Sequence, residues 1–209
     1  MSRHTFDRKQ PKFAQKKRFL IVVEGAVTEC QYFNAIRTLR RISTANIKVI
    51  PPGPTSPIEI VEKAIQLRKK SSHSGDPYDE VWCVFDAEAK LTQTTRPGYA
   101  DALIRANQQK VKVANSNPCF ELWILLHHED CTAWIASHAV QQSCSRLNLV
   151  DGKQIRDVDQ ILRLHDTARQ RAIVLTAMHD RNGTNNPVNR NPESTVYKLT
   201  EAIFQAFPA

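Results

Sequence analysis

Long apolar stretches are missing from this 209-residue chain. Runs such as 19–23 and 122–126 hold five residues each, far short of the roughly 20 that a membrane-spanning helix needs. The first ten residues, MSRHTFDRKQ, contain no apolar segment, so a secretory signal is not expected. Cysteine is sparse and odd in number: Cys30, Cys83, Cys119, Cys131 and Cys144, with no C-x-x-C pair. That argues against a disulfide framework or a zinc knuckle, and a reducing cytoplasm is the expected location. Glycine is also scarce. No G-x-x-x-x-G-K-[ST] or G-x-G-x-x-G occurs, so the chain does not supply an ATPase of its own. Aromatic residues show no pattern of an RNA-recognition sheet, and internal repeats are absent.

What remains is the composition of a globular chain, 41% hydrophobic and 24% charged. The net charge of +8 is concentrated at one end. Residues 1–18 carry Arg3, Arg8, Lys9, Lys12, Lys16, Lys17 and Arg18 against Asp7 alone. Such an arm suits contact with phosphates, or is a solvated tail.

From residue 18 the pattern alternates between strand and helix. The run RFLIVVEG reads as a buried strand, and IKVI (47–50), EVWCVFD (80–86) and VKVA (111–114) as three more. Helices are expected between them. Thr28 and Gln31 have capping-box spacing, and Ser56-Pro57-Ile58-Glu59 is a strong helix start. Residues 98–110 are expected to turn Ala100, Leu103 and Ile104 inward, and Asn117-Pro118 to open another helix. This alternation predicts an α/β fold: a mostly parallel sheet of about four strands with helices on its faces. After about residue 130 no strand-like run recurs. The apolar spacing over 157–179 predicts one long helix, and Asn191-Pro192 a last one. The expected organisation is a flexible basic arm (1–17), an α/β core (18–130) and a helical C-terminal extension packed on the core (131–209).

Ligands of such sheets bind beyond the carboxyl ends of the strands. Glu24 ends the first strand, and Asp86-Ala87-Glu88 ends the third. An unpaired carboxylate is costly to bury, so Glu24 belongs at the strand tip. Asp86 and Glu88, two apart in an extended segment, point to one side. With Glu24 they supply three hard oxygen ligands suited to Mg²⁺ or Mn²⁺ and hence to phosphoryl chemistry. The same D-x-E spacing also serves as a helix cap or a solvated loop.

His127-His128-Glu129 lacks the spacing of a zinc site, and His127 reads as a core-edge residue. His165 and His179 fall on the inner face of a helix, where hydrogen-bonded packing is the default. Cys83 is expected to be inert inside its strand and Cys119 accessible at the rim. Trp82, Trp123 and Trp134 read as core or interface residues.

The segments RFLIVVEGAVTECQYF, DEVWCVFDAEA and VKVANSNPCFELWILLHHE, in this order, resemble the RloB family. The combination E-G-x-x-T-E-x-x-Y-F, V-W-x-V-F-D and S-N-P-x-F-E-x-W is far more specific than any one piece. The likeness covers about residues 18–205, including the N-P-x-S-T-V-Y segment at 191–197.

That family is associated with restriction-modification and abortive-infection loci and looks like a Toprim-type, Rossmann-like domain. The resemblance implies a Mg²⁺-dependent (or Mn²⁺-dependent) nuclease acting on DNA or RNA in anti-phage defence, with Glu24 as general acid/base or metal ligand. Asp86 and Glu88 would hold the metal. Glu88 stands where Toprim sites have the second Asp of a D-x-D, which leaves one-metal and two-metal chemistry open. Glu29, Asn117 and Glu121 fall in matched motifs and are candidates for positioning roles. Glu29 is also favoured by the helix dipole alone, and Asn117 could simply cap its helix. Lys16, Lys17, Arg18, Arg37, Arg40 and Arg41 are the candidate nucleic-acid-binding cations. The resemblance also implies an AAA/ABC-type ATPase partner. A homodimer is possible, and no membrane partner is expected. The alternative is a module that binds nucleic acid or the ATPase without cutting.

Overall fold

The computed structural model describes residues 16–51, 53, 56–87 and 98–208. Most of the basic arm (1–15) and Glu88 lie outside the described residues. Four parallel strands form most of the sheet: β1 (Phe19–Val23), β2 (Ile47–Ile50), β3 (Glu80–Asp86) and β4 (Lys112–Asn117). Helices α1 (Thr28–Leu39), α2 (Pro57–His73) and α3 (Tyr99–Gln108) alternate with them. β4 is followed by α4 (Glu121–Leu126) and α5 (Ser137–Arg146), then by a hairpin of β5 (Val150–Asp151) and β6 (Gln154–Ile155). The chain continues as α6 (Val158–Arg163), α7 (His165–Arg181), β7 (Glu193–Ser194) and α8 (Val196–Ala206).

The strand order is β2-β1-β3-β4-β7, with β7 antiparallel to β4. The sheet therefore has five strands rather than about four. β1 lies between β2 and β3 and is buried throughout, which is why its sequence is apolar at every position. Alternate side chains enter two cores. Phe19, Ile21, Val23, Trp82 and Val84 pack with α1, α4 and the C-terminal helices. Leu20, Val22, Val81, Cys83 and Phe85 pack with α2 and α3. Truncating one of these side chains to Ala would cost about 2–5 kcal/mol.

Several local expectations change. The capping box at Ser56–Glu59 forms, but the one at Thr28–Gln31 does not. Thr28 Oγ1 instead donates to the Lys153 carbonyl, and the Gln31 amide exchanges two hydrogen bonds with the main chain of Ile155. The hairpin thus takes the polar groups that would have capped α1. In α3 the inward residues are Tyr99, Ala102 and Ala106, while Ile104 is exposed. Asn117-Pro118 does not open a helix: β4 runs through Asn117, and α4 begins at Glu121. The predicted long helix is two helices broken at Leu164. Asn191-Pro192 leads into β7, and the last helix starts only at Val196. Strands of two residues leave no readable alternation, so β5, β6 and β7 had no sequence signal. Among the described residues no helix is long and apolar enough to cross a membrane.

Candidate active site

The parallel strands deliver their carboxyl ends to one edge of the sheet, and the acids collect there. Glu24 extends the pairing by one residue, its N–H donating to the Val84 carbonyl at 2.9 Å. Its Oε2 accepts the main-chain N–H of Asp86 at 3.0 Å. The Asp86 carboxylate in turn accepts the N–H of Phe120, just ahead of α4. Glu29, in the first turn of α1, reaches back so that its Oε1 accepts the Gly25 N–H at 2.9 Å. Glu121, in the first turn of α4, completes the group. Among the described residues, Glu29, Asp86 and Glu121 form no ion pair with Lys, Arg or His.

The electrostatics follow from this crowding. Asp86 is held well above the ordinary carboxylate range, first by burial and then by the charges of Glu29, Glu24 and Glu121; the Phe120 N–H opposes the shift. Burial likewise pushes Glu29 up to about 7, with Glu121 and Glu24 adding repulsion. Gly25 makes this arrangement possible: a Cβ there would lie 1.8 Å from the Glu29 Oε2.

Beside the acids lies a buried polar network that sequence reasoning did not assign. Asn115 Nδ2 donates to the Tyr99 hydroxyl at 2.9 Å, and Thr195 Oγ1 donates to Asn115 Oδ1 at 2.7 Å. Burial, Glu193 and Asp86 together raise the Tyr99 phenol above its usual value. Glu193, almost fully buried, is neutralised by Arg190 at 3.0 Å. The matched N-P-E-S-T stretch was the one signal pointing to this network.

The structure brings Glu24, Glu29, Asp86 and Glu121 together, while Glu88 lies outside the described residues. Asn117 does not cap α4, whose N-cap is Phe120. Its side chain is fully buried, with Oδ1 accepting from Asn191 Nδ2 at 3.2 Å and Nδ2 donating to the Val188 carbonyl at 3.3 Å. Asn117 thereby ties the end of β4 to the C-terminal segment.

The six candidate cations lie away from the acids. Lys16, Lys17 and Arg18 precede β1, and Arg37, Arg40 and Arg41 close α1, so all sit toward the amino end of the sheet. Arg18 is engaged structurally, with Asp76 and the carbonyls of Ala45 and Pro77, and Lys17 pairs with Glu80 at 3.4 Å.

Other residues settle as follows. Cys83 is buried with a raised thiol pKa, and all described cysteines are free. Cys119 is buried rather than accessible, because Pro118 to Phe120 fold inward beneath the rim. His165 bonds Thr200 Oγ1 at 2.8 Å and His179 donates to the Pro192 carbonyl at 3.0 Å, both as packing residues. His127 is fully buried, not at the core edge. Trp82 and Trp123 are core, whereas Trp134 is 41% exposed.

The fold and this site define an α/β chain with a buried acidic cluster at the carboxyl end of a mostly parallel sheet. A family model described as RloB-like protein matches residues 19–203, and the chain belongs to that family. No curated protein and no solved structure matches it.

Proposed function

We propose that this chain is a Toprim-type nuclease, dependent on Mg²⁺ or Mn²⁺, that cleaves a DNA or RNA phosphodiester in anti-phage defence. The observation that carries the reading is the convergence of Glu24, Glu29, Asp86 and Glu121 at the strand tips, with no cation paired to the last three among the described residues. Clustered carboxylates that raise one another's pKa fit a divalent ion, because hard oxygen donors and concentrated negative charge are what such an ion requires.

Glu24 and Asp86 would hold the metal, with Glu88, standing where Toprim sites have Asp, as a third ligand. Once bound, the ion would neutralise charge on the scissile phosphate. The chain's own contribution is placement. The Asp86 N–H orients Glu24, and the Phe120 N–H orients Asp86. Glu29 is held against Gly25, beside both, where its carboxylate faces the same space. Activity gated by an ATPase partner, a cytoplasmic location and a homodimer belong to the same proposal.

One observation favours the second reading, a module that binds without cutting. Among the described residues no three His, Cys, Asp or Glu side chains stand in metal-holding geometry. The two readings separate in a cleavage assay on tRNA, single-stranded DNA and duplex DNA with Mg²⁺, Mn²⁺ or EDTA. Metal-dependent cleavage lost in both Glu24→Gln and Asp86→Asn supports the nuclease. Cleavage that persists in both variants overturns this site. Tight binding with no cleavage under any condition, ATPase partner included, selects the second reading.

A further inference from the structure

The amino end of the sheet carries a feature that the acidic site does not use. Lys16, Arg40, Arg41, Ser43, Asn46 and Phe207 line a cleft of about 290 Å³, and among the described residues no acidic one lines it. Its three cations form no ion pair among the described residues.

The arginines are not needed to finish α1. The carbonyls of Ile36, Thr38 and Arg37 already accept the main-chain N–H groups of Arg40, Arg41 and Ile42. Arg40 is set in place by its guanidinium stacking on the Phe204 ring, 4.4 Å from the centroid. Its Nε is buried and has no hydrogen-bond partner. Ser43 and Asn46 hold the wall as a turn: Ser43 Oγ donates to Asn46 Oδ1 at 2.6 Å, and Asn46 Nδ2 donates to the carbonyls of Lys16 and Lys17 at 3.2 Å. Three cations around one cleft, without counter-charge among the described residues, make a site for phosphate oxygens.

We infer that this cleft anchors the phosphodiester backbone of a nucleic acid at a point remote from the acidic cluster. The ligand class rests on the function proposed above, but the anchoring does not depend on cleavage. Glu29 and Arg40 lie at opposite ends of α1, eleven residues apart in sequence. At 1.5 Å per residue their Cα atoms are separated by about 17 Å along the axis. That corresponds to about five nucleotides along one strand of a duplex. A substrate reaching the acids would thus be held at a second place along its backbone.

Fluorescence anisotropy with 20-nucleotide DNA and RNA, single-stranded and duplex, in EDTA across a salt series tests this. The Lys16→Ala/Arg41→Ala double variant is expected to bind at least tenfold more weakly at low salt. Its plot of log Kd against log salt should be shallower by about two, one per lost phosphate contact. Arg40→Met, which keeps an apolar stem on Phe204, should flatten the slope by about one, and circular dichroism checks that both variants fold. Unchanged slopes in both folded cleft variants would overturn the inference. So would inorganic phosphate or ATP binding that needs Lys16 and Arg41 while oligonucleotide affinity does not, which would make the cleft a small-phosphate site. Because binding is read without metal, a chain that proves unable to cleave leaves the cleft standing.

Discussion

The Oε2 of Glu24 accepts the main-chain N–H of Asp86 at 3.0 Å, so the carboxyl ends of β1 and β3 are tied together through the two acids proposed to hold a metal. Glu24→Gln keeps an oxygen for that N–H and removes a charge, whereas Glu24→Ala removes both. Each should lower cleavage by a factor of 100 or more. In thermal unfolding without metal the two variants should separate, because only Glu24→Gln still offers an oxygen to the Asp86 N–H. Glu24→Ala should be about 1 kcal/mol less stable than Glu24→Gln. Mg²⁺ should raise the Tm of the native chain more than that of either variant.

Gly25→Ala should act through Glu29. The added Cβ cannot share space with the Glu29 carboxylate, which must swing away and release the Gly25 N–H. Cleavage is expected to fall at least tenfold with a small change in Tm. In the Glu29→Ala background the same substitution should cost almost nothing more. Additive losses in this double-mutant cycle would show that Gly25 acts independently of Glu29.

His127 should make the protein acid-sensitive. Its Nδ1–H donates to the Trp123 carbonyl at 2.8 Å, and its ring packs edge-on to Tyr32 and Trp123. Burial first, with His165 and His128 adding positive charge nearby, lowers its pKa from 6.5 to about 3. The unfolded chain takes up a proton below pH 6.5 while the folded chain does not until about 3. Stability present above pH 6.5 is therefore lost as pH falls toward 3, by about 1.4 kcal/mol per unit. Urea titrations at pH 7 and pH 5 should show a smaller difference for His127→Phe than for the native chain.

Arg190 should be worth more than a surface arginine. It pairs with Glu193, whose side chain is 3% exposed, and with Asp180. Arg190→Ala strands the Glu193 charge and should cost roughly 3 kcal/mol in chemical denaturation. Adding Glu193→Gln should recover most of that loss. Because Glu193 pairs with Asn117 across β4 and β7, the single variant should also loosen the rim beside Asp86.

The strands with continuous apolar runs were legible because β1 and β3 are covered on both faces. Glu24 and Asp86 were legible as carboxylates that interrupt those runs at their ends. Glu29 and Asn117 were harder, since an acid in a first helical turn or an amide before a proline has an ordinary local use. Only the close approach of Glu29 to Gly25 and the pairing of Asn117 with Asn191 distinguish them.

Local pattern thus carried the α/β class and the acids at the strand ends, because periodicity and the cost of burying charge act over a few neighbouring residues. The folded chain alone decided that β7 joins β4, that Tyr99, Asn115 and Glu193 border the acids, and that the basic residues gather at the opposite end from them. Those outcomes depend on contacts between residues tens of positions apart, and no spacing rule records them. The direction of the strands separates the two charged ends: β1 begins beside the cations and ends at Glu24, so the sheet itself holds them apart.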